Sequence, residues 1–153
     1  MQYLLVGNYG VSNAGDEILR EYFLERFPEI DWKVLSAHPE KGEFPRFPAG
    51  LRSFFSLRWL STLRELRKAD GMVFGGGSLL TDTESVRACF IWFLHAAAAW
   101  LLHKPIILAF QGIGPFRTKA GEWCSRWVVR RAAFISVRDE ESYNMTSRGH
   151  VEA

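Results

Sequence analysis

The sequence has few of the residues and segments that build metal sites, disulfide frameworks or membrane spans. Its 153 residues include 2 cysteines, Cys89 and Cys124, and neither lies in a CxxC pair or has a histidine at ligand spacing. This pattern argues against a zinc site and against a disulfide framework, and it is typical of a reducing cytosol. The most apolar run, residues 89–102, is shorter than the roughly 18 residues of a membrane helix. It contains His95 and predicts a buried helix whose histidine belongs to the core.

An excess of either charge is also absent. The formal net charge of +2 gives no reason to expect a nucleic-acid partner, and the mainly arginine basic residues suit two-point contacts with a small anion. Residues 1–7 lack the basic region and the long apolar run of a signal peptide, so we expect a cytoplasmic protein. Residues 57–68 combine leucines, Trp59 and arginines. Peripheral contact with the inner face of the cell membrane therefore stays open beside the commoner interpretation, a core-packed helix.

Two nucleotide-binding motifs are incomplete. Residues 10–15 have the glycine spacing of a P-loop, but Asp16 and Glu17 stand where the motif requires Lys and Ser or Thr, and acids repel phosphate. The GxGxxG fingerprint of dinucleotide-binding folds is missing, and the chain near Ser36, after the second predicted strand, has no carboxylate to hold a ribose. We therefore expect neither ATP nor NAD, and we predict no cofactor and no metal.

Strand and helix patterns alternate along the chain, which is long enough for one domain with one core. Strands are predicted at residues 2–6, 32–35, 71–74, 105–110 and 133–137. Helices are predicted at residues 16–27, 57–68, 84–103 and 118–131, and from an N-cap at Asp139 to about residue 149. The proline-rich residues 38–48 predict a loop without regular structure, and residues 150–153 resemble the start of another strand. The alternation predicts an α/β fold with a doubly wound, Rossmann-like parallel sheet.

Three glycine-rich segments follow predicted strands directly, at residues 7–17, 75–78 and 111–115, and we predict turns there. The carboxyl ends of parallel strands meet at one edge of a sheet, where open α/β folds bind their ligands. The three turns therefore predict a ligand site at that edge. The candidate substrate-binding residues are Asn13, Gly75, Gly76, Gly77, Ser78, Gln111, Gly112, Gly114 and Arg138. The sequence does not identify a catalytic residue.

These candidates have structural alternatives. Asn13 is equally suited to cap the first helix, and a role at the positive helix end is favoured over a ligand role for Asp16 and Glu17. The triple glycine can form a nest for an anion or a plain tight turn. Arg138 follows the last strand, where its guanidinium can hold a carboxylate or phosphate at two points or pair with a neighbouring acid such as Asp139.

Four segments, residues 7–17, 75–82, 111–115 and 136–142, resemble in their order and spacing the polysaccharide pyruvyl transferase family. The resemblance implies transfer of the enolpyruvyl group of phosphoenolpyruvate to a sugar, which forms a pyruvate ketal. The implied acceptor belongs to a cell-surface polysaccharide or its lipid-linked precursor. It also implies that Arg138 holds the donor anion, that residues 75–78 line the site, and that Asn13 faces the sugar or the donor.

The same resemblance implies a two-domain fold like that of the GT-B glycosyltransferases. Residues 1–153 would then form its Rossmann-like N-terminal domain, with the C-terminal domain absent, and we expect this chain alone to be inactive. Two other hypotheses stay open. One is a GT-B glycosyltransferase domain that uses a nucleotide sugar, and the other is a non-catalytic fragment or assembly module.

Overall fold

The computed structural model describes residues 1–48, 50–83 and 85–150, with the side chains described through residue 147. The described residues form one six-stranded sheet, in the order β3-β2-β1-β4-β5-β6, and every pair of neighbouring strands is parallel. The strands are β1 (Gln2–Val6), β2 (Asp31–Ser36), β3 (Phe44–Pro45), β4 (Gly71–Leu80), β5 (Ile106–Ile113) and β6 (Phe134–Val137). The predicted α/β fold with a doubly wound parallel sheet is confirmed.

Helices connect the strands and cover both faces of the sheet. They are α1 (Ala14–Arg26), α2 (Leu51–Phe55), α3 (Trp59–Lys68), α4 (Val86–Leu101), α5 (Lys119–Arg131) and α6 (Glu140–His150). The larger core lies on the face covered by α3, α4 and α5, where Leu66, Trp92 and Val128 pack against the sheet. The smaller core lies under α1 around Phe23. Among the described residues, none of the helices combines the length with the apolar composition that a membrane span needs.

The α4 helix is buried as predicted, and His95 belongs to its core-facing side. His95 has no exposed surface, its Nδ1 donates to the Ile91 carbonyl at 2.7 Å, and its Nε2 accepts from the Phe47 amide at 3.0 Å. Burial lowers the pKa of His95 to about 4, so the ring is neutral at physiological pH. Both cysteines are buried and free.

The proline-rich segment differs from its prediction. Residues 44–45 form a short edge strand, in which Phe44 and Pro45 pair with Leu35 and Ser36 of β2. An edge strand tolerates proline because one side of its backbone forms no ladder bonds. The prediction of no regular structure is therefore wrong for these residues. The short α2 helix, Leu51–Phe55, was also not predicted.

The glycine-rich segments after the third and fourth predicted strands are not turns. The β4 strand continues through residues 75–78 to Leu80, and β5 continues through Gln111 to Ile113. Gly76 and Gly77 have φ values of 95° and 84°, and the register between β4 and β5 shifts after Gly77. Glycine adopts such angles freely, so it permits a bulge inside a strand as readily as a turn.

The end of the chain also differs from its prediction. Residue 150 belongs to α6, so the predicted strand does not begin there, and residues 151–153 lie outside the described residues. Asp139 caps α6 as predicted, because its Oδ1 accepts from the Ser142 amide at 2.8 Å.

Candidate functional site

A polar cleft of about 410 Å³ opens at the carboxyl edge of the sheet, and we call it the edge cleft. It lies between the start of α1, the end of β4, the first turns of α4 and the residue that follows β6. Its lining residues are Asn8, Asn13, Gly15, Asp16, Leu19, Arg46, Gly77, Ser78, Leu79, Thr81, Ala88, Ile91, Trp92 and Arg138. Four of the predicted site residues therefore meet here, namely Asn13, Gly77, Ser78 and Arg138.

Glycines let the polar groups of the edge cleft approach one another. A Cβ atom at Gly77 would collide with Asp16 Oδ1, and one at Gly112 would lie 2.9 Å from both Ser78 Oγ and Arg138 Nε. Gly112 does not line the cleft, but its missing side chain leaves the space that Ser78 and Arg138 occupy. The close approach of three strand ends thus depends on glycine at these positions.

Arg138 pairs with a neighbouring acid, which is one of its two predicted roles, and it also lines the edge cleft. Its Nε donates to Asp139 Oδ2 at 3.1 Å, while its side chain lines the edge cleft and is 53% exposed. Its backbone amide donates to the Gln111 carbonyl at 3.2 Å, which fixes the residue beside the end of β5. In the described part of the chain, no further hydrogen bond is found for its guanidinium.

Asn13 caps α1 and lines the edge cleft at the same time. Its Oδ1 accepts from the Gly15 amide at 3.2 Å, and its Nδ2 donates to Asp16 Oδ2 at 2.7 Å. Glu17 has a local role, since its carboxylate accepts from the Gly10 amide at 2.7 Å and pairs with Arg20 at 3.0 Å.

Asp16, for which a role at the positive end of α1 was predicted, is a buried carboxylate. It lines the edge cleft with 7% of its surface exposed. Burial raises the pKa of Asp16, and the charge of Arg46 partly opposes that rise. A carboxyl group whose neutral form is stabilised is suited to give or take a proton.

Arg46 is a second residue of the edge cleft that the sequence analysis missed. It follows β3, its Nη2 donates to the Tyr9 carbonyl at 2.6 Å, and its guanidinium lies 5.0 Å from the centre of the Trp92 ring. Burial lowers the pKa of Arg46, and Asp16 opposes that effect. The Nε atom is buried and has no partner among the described residues. The only sequence signal was a lone arginine in a proline-rich segment.

The other predicted site residues lie behind the cleft rather than in its lining. Gly75 packs under Tyr9, whose hydroxyl donates to the Gly75 carbonyl at 3.4 Å, and Gly76 leaves room for Leu19. Gln111 is fully buried, and its side-chain amide donates to the carbonyls of Phe74 and Ala109.

Beyond the end of β5, the chain leaves the sheet beside the end of β4, where the Gly114 amide donates to the Leu80 carbonyl. Gly114 has a φ of 72° and precedes Pro115, whose carbonyl accepts from Thr81 at 2.8 Å. Asp82 accepts from the amides of Arg117 and Thr118, and the Thr118 hydroxyl bond is the main reason why the pKa of Asp82 is lowered. Asp82 therefore organises the start of α5.

Comparison with known families identifies the chain. The family model described as polysaccharide pyruvyl transferase matches residues 13–152, which include every lining residue of the edge cleft except Asn8. The chain belongs to the polysaccharide pyruvyl transferase family. No curated protein sequence matches it.

Among solved structures, this family member is similar to HepE from Anabaena. It matches the crystal structure of HepE in complex with UDP and glucose with a TM-score of 0.64 and 11% identity, over 98% of this chain and 41% of that chain. The structure of HepE in complex with UDP matches with a TM-score of 0.62 and 10% identity, over 97% and 41%. At these identities the likeness shows a shared GT-B-like fold, and the chain spans 41% of the length of HepE.

Proposed function

We propose that the edge cleft binds phosphoenolpyruvate and that the chain forms one wall of a pyruvyl transferase active site. The proposal is supported by the family and by a cleft that combines Arg138, Arg46 and the backbone of Gly77 and Ser78. Phosphoenolpyruvate carries a carboxylate and a phosphate, and arginine side chains and glycine-rich backbone are the usual partners of such groups.

Arg138 is the residue that we propose to hold the donor anion. Its guanidinium is half-exposed at the rim of the edge cleft, and the bond from Nε to Asp139 restrains its plane. A planar guanidinium that is fixed in this way binds a carboxylate or phosphate at two points. Ser78 lies beside it across Gly112 and adds a hydroxyl donor.

Asp16 is the proton-transfer candidate on this wall. In ketal formation a proton adds to the methylene carbon of the donor, one sugar hydroxyl adds to the neighbouring carbon, the phosphate leaves with a proton, and a second hydroxyl closes the ketal. The two hydroxyl protons thus balance the new methyl hydrogen and the proton on phosphate. The acid must lie in the cleft and be protonated in a useful pH range, and Asp16 is buried with a raised pKa.

We further propose that these residues form the N-terminal domain of a larger transferase. The chain covers 41% of HepE, so a longer protein of that fold has a further part beside these residues. A second domain would supply the base and the acceptor contacts. The chain alone would then bind the donor and fail to form a ketal, and measurable turnover by it alone would contradict this part of the proposal.

Calorimetry with phosphoenolpyruvate tests the donor site. Arg138→Ala removes charge-assisted hydrogen bonds, so we expect affinity to fall roughly 10–100-fold. Arg64→Ala is the matched control, because Arg64 is exposed on α3 outside the edge cleft, and it is expected to leave affinity unchanged. If the Arg138→Ala variant binds phosphoenolpyruvate with the same affinity as the unmodified chain, Arg138 does not contribute to donor binding.

A nucleotide-sugar glycosyltransferase is the second candidate, favoured by the likeness to HepE, whose two crystal structures contain UDP, in one case together with glucose. The same calorimetry with UDP-glucose separates the two functions. Heat from UDP-glucose with none from phosphoenolpyruvate would favour the glycosyltransferase. If neither binds and an added second domain restores no turnover, the chain is a non-catalytic module.

A further inference from the structure

A second cavity, which we call the aromatic groove, lies along α2, α3 and α4 outside the edge cleft. It has a volume of about 570 Å³, and apolar side chains form nearly all of its wall, including those of Phe47, Trp59, Phe90 and Leu94. Leu51, which lines the groove, and Phe55, four residues further along α2, are 78% and 74% exposed. Large apolar side chains are rarely so exposed side by side unless they bind a partner.

The outer edge of the aromatic groove is held in place rather than loosely attached. The ring of Phe54 stacks on Trp59 with centroids 5.7 Å apart, and Trp59 Nε1 donates to the Phe54 carbonyl at 3.0 Å. Between α2 and α3, Leu57 has a φ of 54° and is about half-exposed. A leucine in this left-handed region is a strained outlier, and such strain persists where the surrounding contacts impose it.

Positive charge is concentrated around the same groove. Residues 50–68 contain five basic residues and one acidic residue, whereas the whole chain has a net charge of only +2. Lys68 pairs with Glu65 at 2.7 Å. Arg52 and Arg58 are exposed, and no ion pair is found for either within the described ranges. The apolar edge is thus flanked by arginines that are available to an anionic surface.

We propose that the aromatic groove docks the protein on the surface of an anionic lipid bilayer. Leu51, Phe54, Phe55 and Leu57 enter the boundary between headgroups and acyl chains, and Arg52 and Arg58 contact lipid phosphates. Exposed apolar side chains with arginines beside them, on a helix pair that does not span the bilayer, form the interfacial type of membrane contact. The charge complementarity favours a bilayer over a protein partner or a second copy of the chain.

Docking in this way brings the membrane surface close to the edge cleft. The α4 helix separates the two cavities, since Ile91 and Trp92 line the cleft while Phe90 and Leu94 line the groove. A sugar carried on a membrane lipid would therefore reach the cleft across the width of one helix. This last step rests on the proposed function, whereas the docking itself does not.

Vesicle co-sedimentation of the full chain tests the docking. We expect binding to vesicles of phosphatidylcholine with one quarter phosphatidylglycerol, at least tenfold weaker binding to phosphatidylcholine alone, and release by salt. The double variant Leu51→Ser/Phe55→Ser should lose at least tenfold in binding, as should Arg52→Glu/Arg58→Glu. The matched controls are Ile18→Ser, an exposed apolar residue on α1, and Lys41→Glu/Lys119→Glu, which makes the same change of charge elsewhere.

Three results would overturn the proposal: equal binding to both kinds of vesicle, variants that bind as well as their controls, or a dimer that Leu51→Ser/Phe55→Ser dissociates. The last result would make the groove an interface between copies. Calorimetry on the same variants keeps the two proposals apart, since Leu51→Ser/Phe55→Ser is expected to bind phosphoenolpyruvate normally. If the unmodified chain binds vesicles but does not bind phosphoenolpyruvate, the proposed donor site is wrong and the proposed docking stands.

Discussion

The edge cleft and the aromatic groove share the α4 helix and are similar in size, yet they have opposite chemistry. Their volumes are about 410 and 570 Å³. Arg46 lines the cleft and the next residue, Phe47, lines the groove. One short segment after β3 thus sets the character of both cavities, and the difference between them is decided by which way each side chain points.

His95 anchors the segment that divides the two cavities. It accepts from the Phe47 amide at 3.0 Å, and its ring lies 5.0 Å from the Phe47 ring and 5.6 Å from the Trp92 ring. Phe47 faces the groove and Trp92 faces the cleft. The neutral form of this histidine therefore supports both walls at once.

The largest effect is expected from Gly77→Ala, which would break the cleft and spare the groove. The new Cβ would meet Asp16 at a φ of 84°, so strain and overpacking should lower the free energy of unfolding by roughly 2–5 kcal/mol. Donor affinity should fall more than tenfold. Denaturant unfolding and calorimetry measure the two quantities.

Gly42→Ala is the control for that change. Gly42 has a φ of 95°, but a Cβ there would meet nothing within 4 Å. Backbone strain alone should lower the free energy of unfolding of the Gly42→Ala variant by roughly 1–2 kcal/mol, and the variant should bind the donor normally. Equal losses in the two variants would show that the contact with Asp16 has no role in shaping the cleft.

The next effect is acid sensitivity, which should act on both cavities together. Because the folded-state pKa of His95 is about 4 and the ordinary value is 6.5, the folded state resists protonation. The contribution of neutral His95 to the free energy of unfolding is complete above pH 6.5. It is lost as the pH falls to 4, by about 3 kcal/mol in total. Denaturant unfolding at pH 7 and pH 4.5 should show this loss in the unmodified chain and a smaller one in His95→Gln.

His38→Gln serves as the control for this measurement, because it makes the same substitution at an exposed histidine that lines neither cavity. Carboxylates titrate in the same range, but their contribution is common to all three proteins and cancels in the difference. The same decline in His95→Gln as in the unmodified chain would exclude His95 as its source.

The smallest effect should be confined to the cleft. The pKa of Asp16 is raised, mainly by burial, so its ionised form disfavours folding and repels a bound anion. Stability and donor affinity should both decline as the pH rises through that raised pKa. Asp16→Asn should flatten both profiles, and comparison of the two proteins at each pH cancels the ionisation of the donor itself. If donor affinity depends on pH in the same way in both proteins, the ionisation of Asp16 does not affect donor binding.

Several features of the fold and site could be predicted from local patterns. The alternation of apolar runs with helical periodicity predicted the order of the major elements, and the capping roles of Asn13 and Asp139 follow from side chains that bond amides two or three residues away. The apolar surroundings of His95 in the sequence predicted its burial. These features depend on neighbours within a few residues, so the sequence contains their physical cause.

Other features depend on distant partners. The glycine-rich segments extend β4 and β5 because neighbouring strands bond them, and a positive φ is equally compatible with a turn or a bulge. Arg46 reaches the cleft only because β3 pairs with β2 and because Tyr9 and Trp92 lie where they do. No local pattern contains these contacts.

The sequence by itself determined the α/β class, the family resemblance and the set of glycine and polar residues available to the site. Only the tertiary structure decided that Asp16 and Arg46 join Asn13, Ser78 and Arg138 in one cleft, while Gly75, Gly76, Gln111 and Gly114 support it from behind. The reason is that composition and spacing fix local conformation, whereas the burial, charge environment and direction of a side chain depend on segments that are distant along the chain.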